Sequence, residues 1–305
     1  MNQIPLLQFK SLAEALVSLF GTSIAIQQTD RVPGGDINKA YAVTLNTGDR
    51  IFMKANAKEN VGFFKAEAAG LFAIAQTGTL ATPKILCAGT DDGQEVGYSF
   101  LLMELIQSKK PVQDYWKIFG RELAALHKSD ASAFCDGGAF GFFEDNYVGA
   151  TAQSNAPKKT WIEFFRASRL EPQFKTAASN FSSQEMSRVT KLLDHLDDFL
   201  IEPKKPSLIH GDLWSGNVMA GPDGKAMLID PAAYVGNSEA DIAMTELFGG
   251  FVPEFYQAYR EANPMQPGYE KRRDLYNLYQ LLNHLNLFGK SYLGPVLSIV
   301  DEYVS

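Results

Sequence analysis

The chain has 305 residues, 46% of them hydrophobic and 12% aromatic, which is ample for a sizeable core in one two-lobed unit or two small domains. A net charge of −7 and a pI of about 5.2 argue against broad nucleic-acid binding. Cys87 and Cys135 are the only cysteines, so neither a disulfide framework nor a zinc cluster is expected, and no window reaches the ~18 apolar residues of a membrane span. Lys10 and Glu14 interrupt the apolar pattern of the N-terminus, which therefore does not read as a signal peptide, and a reducing cytoplasm is the default.

Leu6, Leu7, Leu12, Leu16 and Leu19 recur at roughly helical spacing and stop before Gly21, predicting an amphipathic opening helix. Three strand-like runs follow, at residues 23–32, 39–46 and 50–55. Pro33-Gly34-Gly35-Asp36-Ile37-Asn38 joins the first two, and Asn46-Thr47-Gly48-Asp49 suits a tight hairpin between the second and third. Glycines at a hairpin tip let backbone N–H groups approach phosphates. Gly34 and Gly35 are also at home in a plain turn, and the loop departs from the protein-kinase G-x-G-x-x-G.

Alternation on the third strand puts Phe52 and Lys54 on one face and Ile51 and Met53 on the other. Residues 58–76 read as a helix that carries Glu67. In kinases a lysine on this strand pairs with a glutamate on the next helix and positions the α- and β-phosphates. Glu59 competes for that role, but it sits near the helix start, where a carboxylate complements the dipole. Residues 84–89 and 98–105 complete a five-stranded antiparallel sheet with one large helix. The last strand runs toward a hinge, where backbone groups near Glu104 and Ile106 would meet an adenine edge; a buried strand simply leaving the sheet fits the same residues. Polar residues 108–111 mark a boundary, giving an N-terminal lobe at 1–107 and a C-terminal lobe at 108–305.

The second lobe reads as mostly helical. Trp116, Phe119, Leu123 and Leu126 form one helix, with others at residues 161–170, 184–200, 251–262, 269–288 and 292–303. His127 reads as a packing or capping histidine. Residues 133–159, rich in Gly, Asn, Asp and Ser, read as a long loop of the kind that is functional or mobile. Asp241 either braces the neighbouring loop or sits near a helix start.

The chemistry is concentrated in residues 208–230. Leu208-Ile209 leads into His210-Gly211-Asp212-Leu213-Trp214-Ser215-Gly216-Asn217, a hairpin turns at Gly221-Pro222-Asp223-Gly224, and a returning apolar strand ends on Asp230. Asp212 and Asn217 are five residues apart, as in the kinase H-R-D-x-x-x-x-N loop, and Asp230 stands where the kinase D-F-G aspartate would. Phosphoryl transfer needs a carboxylate to take or orient the proton of the attacking hydroxyl, here Asp212. It also needs oxygen ligands that hold Mg2+ against ATP, here Asn217 and Asp230. Asx residues that only satisfy a tight loop would explain Asp212 or Asn217 singly, but not the pair followed by Asp230.

These residues, with Asp230-Pro231-Ala232 and Glu239-Ala240-Asp241-Ile242-Ala243-Met244, resemble the fructosamine (ketosamine) kinases. The H-G-D-x-x-x-x-N core alone is shared with aminoglycoside and choline kinases. The narrower resemblance lies in Gly34-Gly35-Asp36-Ile37-Asn38, Gly141-Phe142, Asp145-Asn146, Gln153-Ser154-Asn155, residues 161–165 and residues 278–289, and so runs over nearly the whole chain. The resemblance implies a protein-kinase-like bilobal α+β fold and ATP- and Mg2+-dependent phosphorylation of a sugar hydroxyl on a ketosamine, a deglycation or protein-repair activity. Another small amine or alcohol, of the aminoglycoside or choline type, is the alternative acceptor. It also implies that Asp212 is the base, that Asn217 and Asp230 are magnesium ligands, and that Lys54, paired with Glu67, contacts the phosphates. Gly34, Gly35 and Asp36 would cover the phosphates, while Trp214 and His284 would lie near the sugar, though both residue types are equally at home in packing. A monomer acting on a free or protein-bound ketosamine, with no nucleic acid or membrane partner, is expected. Many family members carry a cysteine in the phosphate-covering loop, linked to redox control; residues 33–38 contain none.

Overall fold

Gln8–Phe9 (β1) is extended, and Ser11 then starts a helix by accepting the Glu14 N–H on its hydroxyl at 3.0 Å. That helix, Leu12–Phe20 (α1), precedes the strands Ile26–Val32 (β2), Lys39–Leu45 (β3) and Arg50–Ala57 (β4). The helix Val61–Gln76 (α2) and the strands Ile85–Asp91 (β5) and Tyr98–Glu104 (β6) follow. The structure, a computed structural model, describes residues 6–33, 37–93, 95–137 and 139–304. The chain divides into two compact units, one of Met1–Tyr115 with Met219–Asp230 and one of Trp116–Val218 with Pro231–Ser305.

In the first unit the sheet order is β1-β5-β6-β4-β3-β2 among the described residues. The expected five antiparallel strands are present, but the sheet has six and is mixed, because β1 pairs parallel to β5 with Gln8 opposite Ala88 and Phe9 opposite Gly89. The expected opening helix is correspondingly shorter. Leu6 and Leu7 precede it, and β1 covers what would otherwise be the free edge of β5. A two-residue strand is too short to show alternation, so its sequence carries no strand signal.

The pleat of β4 sorts its side chains between two layers. Ile51 and Met53 pack with Ala15, Leu16 and Phe100 on the α1 side, while Phe52 joins Phe64, Ala68 and Leu101 on the α2 side. Phe64 and Leu71 of α2 are 0% and 1% exposed, and each such burial is worth ~1.5–3 kcal/mol. This anchors α2 across the sheet face from which Lys54 projects.

The hairpin of Val218–Ala220 and Ala226–Leu228 completes the first unit. Its Leu228 N–H donates to Ala81 O at 2.9 Å, and its Gly224 O accepts from the Val112 N–H at 3.0 Å. These backbone bonds group residues 219–230 with the sheet unit, although a boundary at 107/108 puts them in the other segment.

The second unit holds the helices Tyr115–Lys128 (α3), Trp161–Phe165 (α4), Glu171–Ala177 (α5), Ser183–Asp194 (α6), Glu239–Leu247 (α7), Pro253–Ala262 (α8), Tyr269–Phe288 (α9) and Leu293–Val304 (α10). Phe119 of α3 meets Phe255 of α8 with ring centres 5.1 Å apart, and Trp161 meets Phe165 and Tyr276 at 5.2 and 6.1 Å. The expected helix over residues 161–170 changes at Arg166, where a π-type turn, Arg166–Leu170, leads into α5. The segment read as a long loop contains a hairpin, Asn146–Val148 (β7) with Thr151–Gln153 (β8). Three-residue strands fall below the length at which alternation is legible. Ser207–Ile209 (β9) pairs antiparallel with Tyr234–Gly236, and so leads the chain into the His210–Asn217 loop. No helix among the described residues is long and apolar enough to cross a membrane.

Candidate active site

In the first unit Lys54 is 8% exposed, and its ammonium donates to Glu67 Oε1 at 2.7 Å and to Asp230 Oδ1. The pair expected from sequence is therefore formed, and Glu59 is exposed on a short turn before α2. Burial works against the charge on Lys54, but the carboxylates of Glu67 and Asp230 outweigh it and hold the ammonium above the usual lysine range. Burial pushes the Glu67 carboxyl up to about 8, with Lys54 opposing and the Asp230 charge adding. The two shifts pull against each other, since a charged Lys54 favours a charged Glu67. One ammonium serves two carboxylates, so Lys54 stays charged, and it is Glu67, the more buried of the two acids, whose charged form is disfavoured. Asp230 ends the returning strand with φ 53°. Such left-handed backbone is costly for most L-residues, is tolerated by Asp and Asn, and concentrates at functional sites.

In the second unit the catalytic-loop candidate is held from beneath. Asp241 of α7 accepts the His210 N–H at 2.7 Å and the Gly211 N–H at 2.9 Å, and it takes a third bond from His127 Nε2 at 3.1 Å. Burial opposes the Asp241 charge, yet the hydrogen bond and charge of His127 hold its carboxyl below the usual range. His127 Nδ1 in turn meets the Tyr259 hydroxyl at 2.8 Å, so this histidine is structural, as its surroundings in sequence suggest. Gly211 has φ 81°, and a Cβ there would lie 2.2 Å from Ala232 O; only glycine fits. From α9, Gln280 Nε2 donates to Gly211 O at 2.9 Å. The loop then turns over Ser215–Asn217. Asn217 Nδ2 donates to Asp212 O at 2.8 Å and to Asp212 Oδ2 at 3.2 Å, which ties together the two residues whose spacing marks the motif.

A polar network that sequence reading missed supports Ala232 and Ala233. Asn146 Nδ2 donates to Ala233 O at 2.8 Å, Gln153 Nε2 to Asn146 Oδ1 at 2.7 Å, and Tyr279 OH to Gln153 Oε1 at 2.7 Å. Arg169, fully buried on the π-type turn, bonds Ser154 O and Asn155 Oδ1, both at 2.7 Å, and lies 4.0 Å over the Tyr234 ring. The available signal was the run Gln153-Ser154-Asn155, polar residues in a segment that the fold buries. Gln280 was legible in principle as a polar residue one turn before His284 on an apolar helix.

Trp214 is 41% exposed, and a Cβ on Gly216 would strike its indole at 2.2 Å, so the ring lies against the loop's own backbone. His284 is half-buried on α9, and its Nδ1 lies 2.9 Å from Gln280 O. A carbonyl only accepts, so Nδ1 carries the proton; the neutral ring then presents Nε2 as an acceptor. Glu104 ends β6 with its N–H donated to Lys84 O at 2.9 Å, and Ile106 follows half-buried beyond the strand. Gly34, Gly35 and Asp36 lie outside the described residues.

Asn217 and Asp230 each carry an oxygen of the kind that magnesium takes. Among the described residues no three His, Cys, Asp or Glu side chains gather as a metal cage. Magnesium, however, is commonly held by one or two protein oxygens together with phosphates and water. Asn217 uses its amide nitrogen within the loop, which leaves its carbonyl oxygen as the group to offer, and the Asp230 side chain is 44% exposed. Both cysteines are buried, and burial pushes the Cys87 thiol up to about 12 and Cys135 above its ordinary value.

A strand-rich unit with a covering helix, and a helical unit that carries β9 and the Asp212–Asn217 loop, make up a mixed α+β, kinase-like fold. The crystal structure of a candidate fructosamine-3-kinase from Haemophilus somnus 129PT matches it with a TM-score of 0.84 and 28% identity, covering 97% of each chain. The sequence model for fructosamine kinase matches residues 8–305. A probable ketoamine kinase from Synechocystis sp. is 39% identical over 287 residues, 93% of this chain and 92% of the relative. A chloroplastic protein-ribulosamine 3-kinase from Oryza sativa subsp. indica is 37% identical over 286 residues, 93% and 81% of the two chains. The chain belongs to the fructosamine kinase family.

Proposed function

We propose that this protein transfers the γ-phosphoryl group of ATP to a sugar hydroxyl of a ketosamine, the condensation product of a reducing sugar with an amine or a protein lysine. The observation that carries this reading is the braced Asp212–Asn217 loop, in a chain whose relatives are named ketoamine and ribulosamine kinases. In deglycation the phosphorylated adduct would be labile, so the activity would serve protein repair.

Lys54, fixed by Glu67, contacts the α- and β-phosphates. Asn217 and Asp230 would hold Mg2+, which would neutralise charge on the phosphate oxygens. Asp230, now paired with Lys54, would be the carboxylate offered to the metal, and Lys54 would then serve the phosphates. Since the Glu104 N–H is spent on Lys84 O, the hinge donor to adenine falls to Ile106. Gly34, Gly35 and Asp36 cover the phosphates. Asp212 accepts the hydroxyl proton as the sugar oxygen bonds to the γ-phosphorus and the bond from that phosphorus to the ADP oxygen breaks. Trp214 packs against the sugar, and the acceptor Nε2 of His284 takes a hydroxyl hydrogen.

The test is ADP release with ATP, magnesium and a panel of ribulosamines, fructosamines, choline and an aminoglycoside. The highest kcat/KM is expected on a ketosamine. Faster turnover of choline or the aminoglycoside than of every ketosamine would overturn the substrate assignment.

A further inference from the structure

The exposed large aromatic side chains among the described residues are Phe143, Trp214, Phe248 and Phe288, all in the second unit. Three of them connect to the Asp212–Asn217 loop through short chains of contact. Trp214 is part of it. Phe248 caps the C-terminus of α7 two residues before Gly250, which packs so closely on the loop that a Cβ there would lie 2.5 Å from Ser215 Cβ. Phe288 ends α9, the helix whose Gln280 bonds Gly211 O and whose His284 bonds Gln280 O one turn further on. The His284 ring joins the last two: its centre is 5.0 Å from that of Phe248, 5.3 Å from Phe288 and 5.1 Å from Tyr292, which stacks on it.

An aromatic ring left in water forgoes much of the burial that makes Phe valuable in a core, and clustered exposed rings mark ligand or partner sites. Phe248 and Phe288 are 43% and 53% exposed, so this cluster is open on one side. Its two most exposed rings bring no hydrogen-bonding group for a polyol. Phe248 and Phe288 offer no polar head, and the proton on Nδ1 of His284 is committed to Gln280 O. Burial also holds the His284 pKa below its ordinary value, so near neutral pH the imidazole adds no positive charge to the cluster. Such rings suit a carbon chain and a secondary ammonium, which is attracted to an aromatic face within about 6 Å of its centre. A ketosamine carries both features on the side of its amine, away from the hydroxyls.

Resting on the ketosamine reading above, we propose that Phe248, Phe288 and Tyr292, grouped around His284, form the subsite for the amine arm of the substrate: the secondary ammonium and the alkyl chain of the lysine that bears the sugar. His284 stands at the junction, with its ring in the cluster and Nε2 left for the sugar. The subsite makes the enzyme selective for ketosamines of long alkylamines over those of short ones.

The experiment compares two ribulosamines with the same sugar, one on the ε-amine of an Nα-acetylated lysine and one on methylamine. Wild type should favour the lysine conjugate in kcat/KM. In Phe248→Ala and in Phe288→Ala the ratio of kcat/KM for the lysine conjugate to that for the methylamine conjugate should fall about tenfold, within the range of aromatic contacts to a cation and its chain. Both side chains are about half exposed, so melting temperatures should stay near wild type. A ratio unchanged in both variants, with wild type turning over both conjugates, would overturn the subsite while leaving the kinase reading in place. Turnover of neither conjugate by wild type would contradict the ketosamine reading, and the subsite with it.

Discussion

Asp212 and Asp241 are two carboxylates of one loop region with different surroundings. Asp241 is 1% exposed and meets three donors, so its charge is committed to structure. Asp212 is half-buried, and its Oδ2 receives a 3.2 Å contact from Asn217 Nδ2, which orients the carboxylate. A general base contributes ~10²–10⁴-fold to turnover. Asp212→Ala should therefore lower kcat by about that factor while leaving the Kd for ATP within about threefold of wild type. Single-turnover kinetics and calorimetry check this, and a kcat within about threefold of wild type would remove Asp212 from the role. The lysine cluster was equally legible. Alternation placed Lys54 on the α2 face, and the structure pairs it with Glu67 as expected. The contact of Lys54 with Asp230 was not legible, because 176 residues separate them in sequence.

At the scale of elements, the loop is suspended between α7 and α9. Asp241 fixes its amides from one helix and Gln280 fixes the Gly211 carbonyl from the other. Asn in place of Asp241 has one acceptor oxygen, and its NH2 would face a donor N–H. Asp241→Asn should destabilise the fold by ~1.5–3 kcal/mol at neutral pH, the scale of hydrogen bonds to a charged group. The sign with pH follows from the lowered carboxyl. The stability Asp241 contributes is fully present above its unfolded value near 3.8 and is lost as pH falls through the lower folded value. The melting-temperature gap between wild type and Asp241→Asn should therefore narrow from about pH 6 to about pH 3. A gap that widens over that range would contradict the bracing role. Helices were the elements easiest to read: α9 was expected at residues 269–288 and spans Tyr269–Phe288. The two- and three-residue strands β1, β7 and β8 were not, since their pairing comes from distant partners rather than from their own pattern.

At the scale of the whole molecule, the motif from His210 to Asp230 straddles both compact units. Its loop belongs with the helices, and its hairpin, through Leu228 and Ala81, with the sheet. A boundary drawn from composition at residue 107 could not show this, because backbone bonding to residues 81 and 112 leaves no mark on hydropathy. The kinase-like fold and the family were legible because several motifs agree along nearly the entire chain, and the match over residues 8–305 has that extent. The most direct test of the central claim is phosphorus NMR, with proton coupling, of the product formed from ATP and a ribulosamine. The account predicts one phosphomonoester coupled to a sugar proton, formed by wild type and lost in Asp212→Ala. Phosphorus on the amine, or no ketosamine phosphate under conditions where choline or an aminoglycoside is phosphorylated, would contradict it.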